Sequence, residues 1–149
     1  MVNKRLILFF WLLLCCVLAG SVIASPQLQE ALFYQSLEKK AVQCNLCPRN
    51  CYIPKGKRGF CRARENQEGK LYTLNYAKAV AVHIDPIEKK PLFHYLPGVQ
   101  AFSIATAGCN LKCKFCQNWE ISQKTPEEVN SEYIEPQELI QKVKASGAP

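Results

Sequence analysis

The pattern of hydrophobic and polar positions changes character along the chain, and each change predicts a different element. Leu6 to Gly20 is an unbroken apolar run with no polar face, and low polarity continues to Ala24. From Gln27 to about Lys39, Leu28, Ala31, Leu32 and Leu37 recur on one side of a helical wheel, which predicts a helix. Leu71–Tyr76 and Ala79–Ile84 read as two strands joined by a short turn. The stretch from Asp85 to Gly98 carries three prolines and predicts an ordered loop. Ala101–Thr106 is short, apolar and β-branched, a buried strand that ends at Gly108. Beyond an acidic, proline-marked linker, Pro136 opens a helix in the favoured first-turn position. Leu139, Ile140 and Val143 form its apolar face, and Gly147 can cap its end. No internal repeat is visible.

The first of these patterns has a basic start, Lys4-Arg5, and a small-residue exit, Val22-Ile23-Ala24 before Ser25. Together they predict a signal peptide or membrane anchor over residues 1–25. Residues 6–24 are long enough to cross a bilayer core of about 30 Å if the segment stays uncleaved. Cys15 and Cys16 count there as apolar filler, since Leu14 is too large for a lipoprotein site. The expectation is an exported or membrane-tethered body, with a cytoplasmic location as the alternative.

Composition narrows the rest. A chain of 149 residues suits one modest domain, and 48% hydrophobic residues exclude wholesale disorder. Seven glycines and nine prolines exclude collagen-like and low-complexity classes. The unusual quantity is nine cysteines, seven of them after the leader. An exported chain would make three disulfides and leave one thiol free, but the spacings point elsewhere.

Cys109-Asn-Leu-Lys-Cys113-Lys-Phe-Cys116 follows directly on the Ala101–Thr106 strand and Gly108. Three thiolates on such a loop can wrap one iron–sulfur cube and leave one iron open. The end of a strand is also where α/β barrels place their chemistry. The competing readings are a three-cysteine zinc site or chance. Upstream, Cys44-Asn-Leu-Cys47-Pro-Arg-Asn-Cys51 and Cys61 supply four thiolates, a closed shell for Zn²⁺ or a saturated iron–sulfur cluster. Spacing alone does not separate the two. Gly56 and Gly59 allow the tight turns that return the chain to the metal.

The net charge of +7 is concentrated around this first group. Lys39, Lys40, Arg49, Lys55, Lys57, Arg58, Arg62 and Arg64 carry it, with no acid from residue 39 to 64. The run reads either as a phosphate-gripping surface or as compensation for a thiolate-rich centre. Only Tyr52 and Phe60 interleave with it, too few for base stacking, so nucleic acid is the weaker reading. His83, in an alternating strand, and His94, in the loop, read as structural residues rather than ligands.

The cluster triplet, with Phe115 immediately before its last cysteine, closely resembles the radical S-adenosylmethionine superfamily. Residues from about Ala31 onward resemble the AmmeMemoRadiSam-system members, relatives of pyruvate formate-lyase activating enzymes. The segments carrying the match are Cys44 to Cys51, Gly59-Phe-Cys61, Asp85-Pro-Ile-Glu-Lys-Lys-Pro-Leu92 and Gly108 to Ser122. The resemblance implies a 4Fe–4S cluster on Cys109, Cys113 and Cys116, with Phe115 beside the cofactor. It further implies S-adenosylmethionine on the open iron and reductive cleavage to a 5′-deoxyadenosyl radical. A flavodoxin- or ferredoxin-type low-potential donor is implied, with Memo-like and AMMECR-type proteins as candidate partners by association only.

The implied fold is α/β, the N-terminal part of a partial (β/α)₆ barrel, preceded by a Cys-rich metal-binding subdomain. The expected division is residues 26–98 for that subdomain and 99–149 for the start of the barrel. Only 33 residues follow Cys116, about one strand–helix–strand unit. The expectation is therefore an incomplete fragment, inactive alone and silent on its substrate. The alternative is a non-catalytic four-cysteine ribbon that binds nucleic acid or protein; a secreted disulfide domain is a third.

Overall fold

The computed structural model describes residues 28–148. The apolar leader lies outside them, and among the described residues no helix is long and apolar enough to cross a membrane.

Where apolar spacing predicts a helix over residues 27–39, the chain instead forms two short strands. These are β1 (Gln29–Glu30) and β2 (Tyr34–Ser36), followed by a 3-10 turn at Glu38–Lys40. Phe33, Lys39 and Lys40 have φ of 58°, 55° and 59°, left-handed conformations that no right-handed helix accommodates. Both strands also find antiparallel partners. Gln29 of β1 lies opposite Thr73 of β6 (Lys70–Thr73), and Tyr34 of β2 opposite Cys44 of β3 (Val42–Cys44). Of the supposed helical face only Ala31 is buried, while Leu28, Leu32 and Leu37 stay exposed. Helix propensities differ by only tenths of a kcal/mol per residue, and strand pairing outweighs them.

β4 (Tyr52–Ile53) completes a β2-β3-β4 sheet, and β5 (Arg64–Gln67) joins β6 and β1 in a second. No apolar alternation marks β5. Its hairpin is set by Glu68 (φ 55°) and Gly69 (φ 93°), two successive positive-φ residues of the kind a tight two-residue hairpin requires. Between these sheets Val42, Ile53, Leu71, Ala31 and Cys44 form the core, with Tyr34 and Cys51 against it. Asn66 is the one fully buried polar side chain among the described residues. Its amide donates to the carbonyls of Lys40 and Ile53, each at 2.8 Å, and its oxygen accepts from the Gly69 N–H at 2.9 Å. It thus ties three chain segments together with every polar atom satisfied.

The second region begins with β7 (Lys78–Ala79), which pairs with β10 (Glu132–Tyr133). β8 (Ala81–Pro86) pairs with β9 (Gln100–Ala105) across the whole register from Ala81–Ala105 to Pro86–Gln100. The strands expected at 71–76 and 79–84 therefore exist as β6 and β8, but each pairs elsewhere. A loop with a 3-10 turn at Ile87–Lys89 connects β8 to β9. Two helices follow, α1 (Trp119–Ser122) and α2 (Pro136–Ala145), the latter with proline in its first turn and Gly147 (φ 70°) just past its end. Every strand pair named here is antiparallel, and β9 has one partner among the described residues. The barrel expectation thus rests on the order strand, cysteine loop and helix, since barrel staves are parallel.

Candidate metal centre

The first four cysteines surround one cavity of about 370 Å³, and Cys109 of the second group lines it too. Each is placed by local geometry. Cys44 ends β3, and its N–H donates to the Cys51 carbonyl at 2.9 Å. Cys47 opens a turn closed by the Asn50 N–H on its carbonyl at 3.1 Å, with Asn50 at φ 42°. The Gln43 amide holds the Asn50 carbonyl. Cys61 is brought in through Gly59, where a side chain would stand 3.1 Å from Ile53 Cδ1.

All seven described cysteines are free of disulfides. As positioned, no three His, Cys, Asp or Glu side chains among the described residues stand close enough together to hold a metal ion. The four donors of the first group nevertheless line the same cavity. In number and type the set fits Zn²⁺ or an iron–sulfur cluster. Arg49 and Arg64 also line the cavity, the second with Nη1 3.9 Å from the Cys44 sulfur.

The second group occupies the loop from β9 to α1. The Leu111 N–H points at the Cys109 sulfur at 3.4 Å, and the Cys116 sulfur lies 3.3 Å from the Ser122 hydroxyl. The Gly108 N–H donates to the Ile121 carbonyl at 3.0 Å, so α1 folds back to close the loop. Cys113 is exposed, and Phe115 is 89% exposed beside it. Neither Cys113 nor Cys116 reaches the cavity that Cys109 lines.

The two loops touch. A β-carbon on Gly108 (φ 91°) would meet the Cys61 carbonyl oxygen at 2.5 Å, so only glycine permits this approach. The Asn75 amide donates to Thr106 Oγ1 at 3.0 Å and to the Ala107 carbonyl at 3.1 Å. Arg49 sits 3.5 Å from the Phe60 ring centroid and donates through Nε to the Asn110 carbonyl. Lys112 Nζ lies 4.8 Å from the same centroid. Such cation–ring contacts contribute about 0.5–2 kcal/mol, depending on solvent access.

Most of the basic run is engaged inside the protein. Arg58 pairs with Glu65 at 2.7 Å and with both oxygens of Glu127 at 2.8 and 3.0 Å. Hydrogen bonding to Glu127 raises the Arg58 pKa, and Arg58 holds both carboxyls below their ordinary value. Lys40 and Lys55 share Glu68 at 2.6 and 2.5 Å, and Arg62 donates to the Gln123 carbonyl. Arg64 donates to the Leu32 carbonyl at 2.7 Å. Away from the cavity, hydrogen bonds from Lys90 and Lys89 hold Asp85 at a pKa of about 2. His83 and His94 are exposed, and neither lines the cavity.

Sequence reasoning missed Asn66 and Asn75, whose roles depend on partners far along the chain, and the contact of Ser122 with Cys116, six residues before it. It also missed the Arg49–Phe60 contact, although both residues neighbour cysteines.

No protein-family model matches the sequence, and no solved structure does. Two proteins of Methanocaldococcus jannaschii are similar to it. The uncharacterized protein MJ0808 is 48% identical over 114 residues, 76% of this chain and 34% of that protein. The uncharacterized protein MJ0674 is 36% identical over 81 residues, 54% of this chain and 19% of that protein. The chain therefore matches about a third of the length of the first relative and a fifth of the second.

Proposed function

We propose that this chain carries the cluster-binding part of a radical S-adenosylmethionine enzyme, of the kind that resembles pyruvate formate-lyase activating enzymes, with a second metal centre beside it. The observation that carries the reading is the set of three free thiols, Cys109, Cys113 and Cys116, on the loop leaving β9. Three protein ligands on a four-iron cube leave one iron for a substrate, as a catalytic metal site keeps one position open. When bound, a 4Fe–4S cluster and S-adenosylmethionine supply one-electron cleavage of the sulfonium to a 5′-deoxyadenosyl radical.

The residues of this chain hold and shape that site. Gly108 makes the turn out of β9, and the Leu111 N–H and the Ser122 hydroxyl address the sulfurs of Cys109 and Cys116. Lys112 and Lys114, between the cysteines, bring positive charge to the loop. Phe115 offers an exposed ring to the bound cofactor. Cys44, Cys47, Cys51 and Cys61 hold Zn²⁺ or an iron–sulfur cluster as a closed shell. The ion pairs of Arg58, Lys40 and Lys55 count against the nucleic-acid alternative, because those cations already have carboxylate partners.

Anaerobic reconstitution with ferrous iron and sulfide tests the reading. The reduced chain is expected to give a 4Fe–4S electron paramagnetic resonance signal that changes when S-adenosylmethionine is added. Cys113→Ala should abolish that response. A protein that takes up only zinc, or a response that survives the substitution, overturns the proposal.

A further inference from the structure

The two cysteine groups are far apart in sequence, yet one side chain spans them. Arg49 lies in the turn between Cys47 and Cys51, so a metal that draws those two thiols together fixes where its side chain leaves the backbone. From there the guanidinium packs 3.5 Å from the Phe60 centroid, next to Cys61, and its Nε holds the carbonyl of Asn110, next to Cys109. Lys112, next to Cys113, lies over the same ring at 4.8 Å. Gly108 fits against the Cys61 carbonyl with no room for a side chain.

These contacts make a charge-dependent clamp. Arg49 and Lys112 are like charges gathered on one ring, an arrangement that repels itself. A metal held by four thiolates would be a net negative centre within the cavity that Arg49 and Asn110 both line, and the Arg49 guanidinium would offset that charge there. The filled first site thereby strengthens the hold on Asn110 and on the loop behind it.

We infer that Arg49 is a positioning residue through which metal at Cys44, Cys47, Cys51 and Cys61 orders the Cys109–Cys116 loop, so that the first group must fill before the second can take up its cluster. The inference rests on the functional reading above and adds an order of assembly. It gives the closed site a role in preparing its neighbour, beyond holding its own fold together.

The test uses the full chain, loaded anaerobically with ferrous iron and sulfide, and follows two quantities. One is metal bound at the first group, measured in a Cys113→Ala background where the second site is broken. The other is the S-adenosylmethionine-sensitive paramagnetic signal of the second group. Arg49→Ala is expected to keep the first group loaded at saturating ferrous iron and to lower the second signal about 5-fold or more, the usual scale of site-to-site coupling. Arg49→Lys should restore part of the signal, since it keeps the charge but loses the planar stack. Cys47→Ser, which breaks the first site, should lower the second signal at least as far. Gly108→Ala should do the same with first-group metal intact. A fully retained second signal in Arg49→Ala and Cys47→Ser overturns the coupling while leaving the functional reading in place. Absence of the signal from the wild-type chain overturns that reading and the coupling with it. Loss of first-group metal in Arg49→Ala, with no rescue by lysine, assigns Arg49 to the first site alone and also overturns the coupling.

Discussion

Residues 31–74 and residues 81–148 solve the problem of stability differently. The first region encloses Val42, Ile53, Leu71 and Asn66 almost completely, with short strands on both sides and four cysteines along one edge. The second exposes Ile84, Ile104, Leu111, Phe115, Trp119 and Ile140, and its longest strand pair has no core layer of comparable size. Small sheets of two to four residues bury little area, so the first region depends on its buried amide, its ion pairs and its thiols. The second region has longer elements but leaves apolar faces open to solvent, between β9 and α2 above all. Burial is thus concentrated around the first four cysteines, and exposure around Cys113 and Phe115 of the second group.

Metal removal should break that contrast most strongly. If the first group holds metal as proposed, a structural four-thiolate site would contribute on the order of 10 kcal/mol to folding, so a chelator should strip amide protection from residues 31–74 and spare the β8–β9 pair. Hydrogen exchange reads this region by region, and unchanged protection would show that packing alone holds the first region. Next in size, Leu71→Ala should cost about 3 kcal/mol in denaturant unfolding, whereas Ile104→Ala should stay within about 0.5 kcal/mol. Equal costs would dissolve the contrast. Asn66→Leu should destabilise by about 2 kcal/mol, because the Lys40 and Ile53 carbonyls lose their donor. Arg58→Ala should cost about 1 kcal/mol or less, being partly exposed, and the effect should shrink in salt.

The smallest effect concerns acid. Asp85 is held at about 2 by Lys90 and Lys89, below its ordinary value of 3.8. A depressed folded value means that its stabilisation is complete above that ordinary value and drains away as pH falls toward 2. Amide protection at Ile87–Lys90 should therefore drop between about pH 4 and 2, and Asp85→Asn should remove that pH dependence.

Legibility in the sequence followed the range of the interactions. The strand at 100–105 and the helix opened by Pro136 were readable because their signals are local, a β-branched apolar run and a proline at a helix start, but the burial expected of that strand is absent, with Ile104 exposed. Spacing groups the cysteines into four and three, whereas the structure places the four and Cys109 around one cavity and leaves Cys113 and Cys116 off it. The helix expected over 27–39 failed because the leucine spacing that suggested it was never buried; β3 and β6 claimed the segment instead. The strand at 64–67 was invisible because its residues are polar and its existence follows from a two-residue turn and a partner.

The sequence by itself determined the chemistry available to this protein: which thiols exist, how they are spaced, and that cations surround them. Only the tertiary structure decided that Cys109 shares a cavity with the first group, that Arg49 spans both loops, and that Asn66 is buried. Ligand spacing is a local property of the chain, whereas the meeting of residues 49, 60 and 110 depends on two sheets packing and on a glycine that lets their loops touch.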